Sequence, residues 1–187
     1  AGMAAQRLKQ EFAISDSERD EFDEMVGLLS SESDRVGRVV TGFLELGKPL
    51  VLDRKVVPIQ EAINDAVLPS QMRAEKEGKH LENVHGFTGE LFIDKLRFRQ
   101  MLSNVIDNAL DSVGEQGHVW VETSSRGDEA VINIRDDGVG MNDKELLEVM
   151  KPFVSFKKSG TGLGLPLVKR IAEAHGARLE IESTLGE

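Results

Sequence analysis

The run Gly47-Lys48-Pro49 constrains the fold more than any other feature, because no helix can pass it. Gly suits a helix C-terminal cap, and Pro lacks the N–H that would continue the hydrogen-bond ladder. Upstream of it almost everything reads as helix. Phe22, Met25, Val26, Leu29, Val36, Val39, Val40, Phe43 and Leu46 recur at three- and four-residue steps, interrupted only around Ser33, and so form an apolar seam. Ser15-Asp16-Ser17-Glu18 reads as a capping box that closes a short helix near Phe12 and opens the long one near Asp16. Acidic residues crowd the first turns (Asp16, Glu18, Asp20, Glu21, Asp23, Glu24), where they either complement the positive end of the helix dipole or simply form a solvated face. Two helices cannot bury such a seam alone, so the pattern predicts a homodimer in which a second copy completes a four-helix bundle. The boundary is placed at this break, with residues 1–48 as part of a helical hairpin and 49–187 as a second domain.

Beyond the break the texture changes. Helical periodicity covers residues 59–76, a short strand is predicted at 91–93, and a strong helix runs from about Lys95 to Val113. Leu96, Met101, Leu102, Val105, Ile106, Ala109 and Leu110 are available for its buried side. Period-two strands follow at 118–123 and 130–134, separated by the turn-like Ser124 to Asp128. A last helix spans about Leu165 to His175, closed by Gly176, and Arg178 to Ile181 reads as a further strand. Strands that succeed one another without regular helical crossovers predict an α+β chain: a two-layer α/β sandwich with helices on one face of a mixed sheet. A net charge of −10 argues against a long phosphate-backbone interface and hence against nucleic acid. The absence of cysteine removes disulfides and thiolate zinc sites, and a reducing cytosol fits most simply. No stretch approaches the roughly 18 consecutive apolar residues of a membrane span, and no basic-then-apolar leader is present, so a soluble cytoplasmic chain without membrane contact is expected.

Three clusters carry chemistry. Gln100, Asn104 and Asn108 stand four apart, so all project from one face of the strong helix. A buried amide costs roughly 1 to 3 kcal/mol unless it finds partners, so something polar should lie against that stripe. An amide oxygen is a hard ligand that suits Mg²⁺; equally, such amides cap neighbouring backbone. Asp136-Asp137-Gly138-Val139-Gly140 comes directly after a strand, where glycine permits positive φ and close approach of a flat ligand while a carboxylate accepts from it; an Asp-Gly turn there is also ordinary. Gly160-Thr161-Gly162-Leu163-Gly164-Leu165 precedes a helix, where main-chain amides and the dipole favour an anion, or where the run is only a tight junction. It is neither a Walker loop nor the GxGxxG dinucleotide fingerprint. Just upstream, Lys157 and Lys158 are within reach of a phosphate, and Pro152-Phe153 suits one end of a mobile flap.

Together and in this order, these clusters resemble the GHKL superfamily of ATP-binding proteins, with the Bergerat-type fold. Gln100 to Ala109 looks like the N box, Asp136 to Gly140 the G1 box, Met150 to Phe153 a variant F box with Met150 where Phe is common, and Gly160 to Leu165 the G2 box. The continuation from Leu165 to Gly176 is similar to the helix after the G2 box in sensor histidine kinases, particularly the nitrogen-regulation type. The resemblance implies an ATP-binding catalytic domain in which Asn108 holds Mg²⁺ against the phosphates with Asn104 beside it. It implies that Asp136 accepts from the adenine amino group, that Gly138 and Gly140 let the chain pass the base, and that residues 142–159 form a lid. Lys157 would lie near the phosphates, and the turn of Gly160, Thr161, Gly162, Leu163, Gly164 and Leu165 would cradle them. Asn104 and Lys157 are thereby the candidate catalytic side chains. Hydrolysing relatives such as gyrase-type ATPases carry a water-activating Glu where this chain has Asn104, which cannot act as a base, so transfer to a protein nucleophile is implied over efficient hydrolysis.

In that family the γ-phosphoryl passes to a histidine on the first hairpin helix and then to an aspartate of a response-regulator receiver domain. This chain holds only His80, His85, His118 and His175, none in the hairpin, and His175 beside Gly176 reads as a capping or packing residue. Ala1-Gly2-Met3-Ala4-Ala5 resembles the stretch just after the acceptor motif, which implies an acceptor upstream of residue 1 and no self-phosphorylation by these residues alone. Past Ser183 to Glu187 the family continues into one more strand. Two other readings stay open: a GHKL protein of another kind, such as an anti-sigma serine kinase or an ATPase, or a non-catalytic dimer that uses nucleotide as a signal. The resemblance also allows the chain to be the cytoplasmic part of a membrane-bound sensor.

Overall fold

The computed structural model describes residues 19–157 and 160–186. The short helix ending near Phe12, the capping box at Ser15 to Glu18 and Lys158 lie outside the described residues. The first described element, α1 (Arg19–Gly47), ends at the glycine where the helix stop was expected. Its seam residues Met25, Leu29, Val36, Val40 and Phe43 expose half or more of their surface. No helix among the described residues is long and apolar enough to cross a membrane.

The remaining elements are β1 (Lys55–Pro58), α2 (Ile59–Lys76), β2 (His80–His85), β3 (Glu90–Ile93), α3 (Lys95–Ser112), β4 (His118–Arg126), β5 (Glu129–Asp136), α4 (Asp143–Glu148) and α5 (Gly164–His175). The strands form two sheets: an antiparallel pair β1-β3, and a mixed sheet ordered β2-β4-β5, parallel between β2 and β4 and antiparallel between β4 and β5. Along β4, Val119, Val121 and Thr123 are buried, while His118, Trp120 and Glu122 lie on the opposite face. The buried face meets α2 and α3, so that Ile59, Ile63, Ile106, Leu110, Val119 and Val121 form the dry centre of the molecule. Burying each such side chain stabilises by about 1.5 to 3 kcal/mol.

Local chemistry explains the helix ends. Asp94 caps α3 by accepting from Arg97 N at 3.1 Å, Asn142 and Glu145 close a reciprocal capping box on α4, and Gly176 ends α5 with φ of 76°. Two expectations are corrected, and two strands were missed. β1 and β2 were not foreseen from the sequence. Leu96 is 62% exposed, because it lies two residues from Phe98, about 200° around the helix, and Phe98 is the residue that faces the core. Residues 178–181 keep alternating burial but make no ladder, so they form no strand. The stretch expected to form the lid, residues 142–159, includes the capped helix α4.

Candidate functional site

The site grows from one face of α3. Asn104 Nδ2 donates to Gln100 O at 2.9 Å, which turns its Oδ1 outward. A methyl group placed on Gly164 would lie 3.4 Å from that oxygen and 3.9 Å from Asn108 Nδ2, so the start of α5 stands directly over the two amides. Asn108 Oδ1 faces a cation: Lys157 Nζ donates to it at 3.2 Å, to the Asn108 main-chain oxygen at 3.1 Å and to Asp111 Oδ2 at 3.0 Å. Burial pushes the Asp111 carboxyl up, but the hydrogen bonds from Arg73 and Lys157 outweigh it and hold the group below the usual carboxylate range. The third amide of the stripe points elsewhere. Gln100 Nε2 donates to Glu45 Oε2 of α1 at 3.0 Å, and Arg97 joins both.

At the other end of α3, Asp136 leaves β5 with its Oδ1 2.7 Å from Ser112 Oγ and 3.0 Å from Gly138 N, while its Oδ2 has no hydrogen-bond partner among the described residues. Gly138 is required by proximity: a methyl there would sit 2.4 Å from Ser112 Oγ and 2.7 Å from Asp136 Oδ1. Gly140 has φ of 65°, and a methyl on it would lie 2.0 Å from Thr184 O. Asp137 turns away and accepts from His118 N at 2.7 Å, so neighbouring aspartates serve opposite sides of the turn.

The glycine-rich run closes the arrangement. Gly162 adopts φ of 66°, and its oxygen accepts from Phe153 N at 2.9 Å. Phe153 itself holds φ of 66°, a strained conformation for an aromatic residue. Leu163 is buried, with its Cδ1 2.8 Å from where a methyl on Gly42 would stand, and is therefore packing between α1 and the turn. Thr161 and Leu165 are partly buried. No side chain caps the start of α5, which leaves first-turn amides available to an anion.

Thus Asn104, Asn108, Lys157 and Gly164 come together, and Asp136 and Gly138 form a second cluster reached along the same helix. Sequence reasoning missed Ser112 and Asp111. Ser112 continues the four-residue step of Gln100, Asn104 and Asn108, and that step was the signal. A recess of about 580 Å³ between α4, α5 and residues 177–181 shares none of these residues. The donor set suits a magnesium nucleotide: a hard amide oxygen already facing a cation, an unpartnered carboxylate oxygen, and a glycine surface that a Cβ would obstruct.

Residues 93–187 match the family described as histidine kinase-, DNA gyrase B- and HSP90-like ATPase. Sensor histidine kinase ZraS of Salmonella typhi is 32% identical over 169 residues, covering 89% of this chain; the chain spans only 36% of that relative's length. Full-length ShkA, solved in complex with AMPPNP, superposes over 91% of this chain and 36% of its own with a TM-score of 0.73 at 24% identity. Histidine kinase ThkA in complex with the response regulator protein TrrA superposes over 94% of this chain and 50% of its own, with a TM-score of 0.72 at 18% identity. At these identities the two structures speak to the fold alone.

Proposed function

Because the chain belongs to the histidine kinase-, DNA gyrase B- and HSP90-like ATPase family, we propose that it is the ATP-binding catalytic part of a sensor histidine kinase, with residues 1–48 contributing to the dimerisation hairpin and 49–187 the catalytic domain. The observation that carries this reading is the single helix α3, which offers Asn104 and Asn108 toward Gly164 at one place and fixes Asp136 through Ser112 two turns on. ATP is the substrate, with its adenine on Asp136 Oδ2 and its phosphates over Asn104, Asn108 and the start of α5. Asn108 would hold Mg²⁺, which would supply charge neutralisation on the phosphates. Lys157 Nζ donates to Asn108 Oδ1 at 3.2 Å and so stands at the phosphate end of the site.

Asn104 holds its amide against Gln100 O and cannot accept a proton as a carboxylate would, which supports phosphoryl transfer to a protein over water activation. The acceptor is a histidine outside these residues. His175 is engaged by Asp94 N and Ile171 O, His80 and His118 stack at 4.5 Å on the sheet, His85 bonds Asn64, and none lies on α1. The exposed seam of α1 supports a homodimer through the hairpin. The complex of the ThkA relative with its response regulator supports a receiver domain as the next partner, and a cytoplasmic location belongs to the same proposal.

The test is transfer from γ-labelled ATP to a separately supplied hairpin bearing an acceptor histidine. Acid-labile label on that hairpin is expected, and label on this chain without added hairpin would contradict the assignment of the acceptor.

A further inference from the structure

Lys157 does not extend into open space as an unemployed surface lysine would. Its ammonium is ringed by three oxygens, Asp111 Oδ2 at 3.0 Å, Asn108 O at 3.1 Å and Asn108 Oδ1 at 3.2 Å, which match its three donors. One of those oxygens is the amide oxygen to which the nucleotide reading assigns the metal. An ammonium and a divalent cation compete for it, since two positive charges brought to one oxygen repel each other.

The carboxylate that keeps Lys157 there is itself fixed from behind. Asp111 Oδ1 accepts from Arg73 Nη2 at 2.5 Å, and the same guanidinium is braced by Glu77 Oε1 at 2.7 Å through its Nε, so α2 holds Asp111 with its second oxygen turned to Lys157. Side-chain exposures of 35% for Lys157 and 36% for Asp111 leave the pair partly screened by solvent, so the contact is exchangeable.

Resting on the nucleotide reading above, we propose that Asp111 is a positioning residue that parks the Lys157 ammonium on the cation-binding oxygen of Asn108, so that loading the metal and releasing the lysine are one exchange. That exchange frees the Lys157 side chain from α3 as the phosphates arrive. The metal requirement of nucleotide binding is therefore set in part by a side chain that is not a metal ligand.

The test measures ADP binding by calorimetry across a magnesium titration for the wild type, Asp111→Asn and Lys157→Met. The half-saturating magnesium concentration is expected to fall roughly two- to five-fold in both variants, the range of a partly exposed ion pair. An unchanged requirement in Asp111→Asn overturns the proposal, and a raised one makes Asp111 a metal ligand instead. Should Asp111→Asn show no cooperative melting transition, Lys157→Met, which leaves Arg73 and Asp111 paired, decides: a fall supports the exchange and an unchanged value overturns it. A wild type that binds no ADP at any magnesium concentration is the separate failure of the nucleotide reading, and it removes the proposal with it.

Discussion

Asp136→Asn tests the adenine end of the site with little change of shape. In the wild type Oδ1 faces two donors, Ser112 Oγ at 2.7 Å and Gly138 N at 3.0 Å, and only Oδ2 is left for the base. The amide has two ways to fit, and each loses something. With its oxygen toward Gly138, the NH₂ group meets the exocyclic amino group of adenine donor to donor. With the NH₂ toward Gly138, the base keeps an acceptor, but a main-chain N–H is left facing another donor. Either way one hydrogen bond to a charged acceptor is lost, about 1.5 to 3 kcal/mol, or roughly ten- to 150-fold in ATP affinity. The first orientation offers a donor to the guanine oxygen, so GTP should lose less and the preference for ATP should narrow. Calorimetric titration with each nucleotide, alongside a melting curve for the fold, measures both quantities. An ATP-to-GTP affinity ratio equal to that of the wild type would refute the assignment of Asp136 to the base.

Two further outcomes are expected at contacts that hold the site's supports. Asp94 N donates to His175 Nε2 at 3.0 Å while His175 Nδ1 faces Ile171 O at 2.8 Å, which fixes a neutral ring with its proton on Nδ1; His175→Leu should cost about 1 to 3 kcal/mol in chemical denaturation, and an unshifted midpoint would count against the role. Burial pushes the Asp94 carboxyl up, but the amides of Arg97, Asp53 and Leu96 outweigh it and hold the carboxyl below its ordinary value of 3.8. Its stabilising contribution is therefore complete above that value and lost as the pH falls through the lower folded one. Asp94→Ala should cost about 1 kcal/mol at neutral pH and flatten the acid limb of the stability profile below about pH 5, whereas parallel limbs would refute the cap.

The helices were legible because burial follows their period. α2, α3 and α5 appear within a residue or so of where apolar spacing put them, and Gly176 ends the last as expected. The strands were legible only where both faces speak. In β4 the buried Val119 and Val121 alternate with His118, Trp120 and Glu122, and the strand is plain in the sequence. In β2 the inward positions are Leu81 and Asn83, and Asn83 Nδ2 donates to Asn64 Oδ1 at 3.0 Å, so a polar group stands where an apolar residue would have signalled a strand. β1 is too short, and its Val56 and Val57 are adjacent rather than alternating. Residues 178–181 show the reverse error. Alternation from Arg178 to Thr184 decides which side each residue faces, but a ladder needs a partner strand, and alternation says nothing about one.

The site was legible as a stripe and not as a destination. Gln100, Asn104, Asn108 and Ser112 share a face by spacing alone, which is a property of the helix and can be read from the residues. What each meets depends on other elements: Glu45 from α1 claims Gln100, and Asp136 from β5 claims Ser112, so the useful part of the stripe lies one turn further along than the amides suggested. That shift has a consequence for the ligand. Asn104 to Ser112 spans about 12 Å of helix axis. A compact anion would need only the end near Gly164. A helix that offers hard oxygens at one end, and orients a carboxylate with a free oxygen at the other, suits a ligand that is long, anionic at one end and hydrogen-bonding at the other, which is the description of a nucleotide.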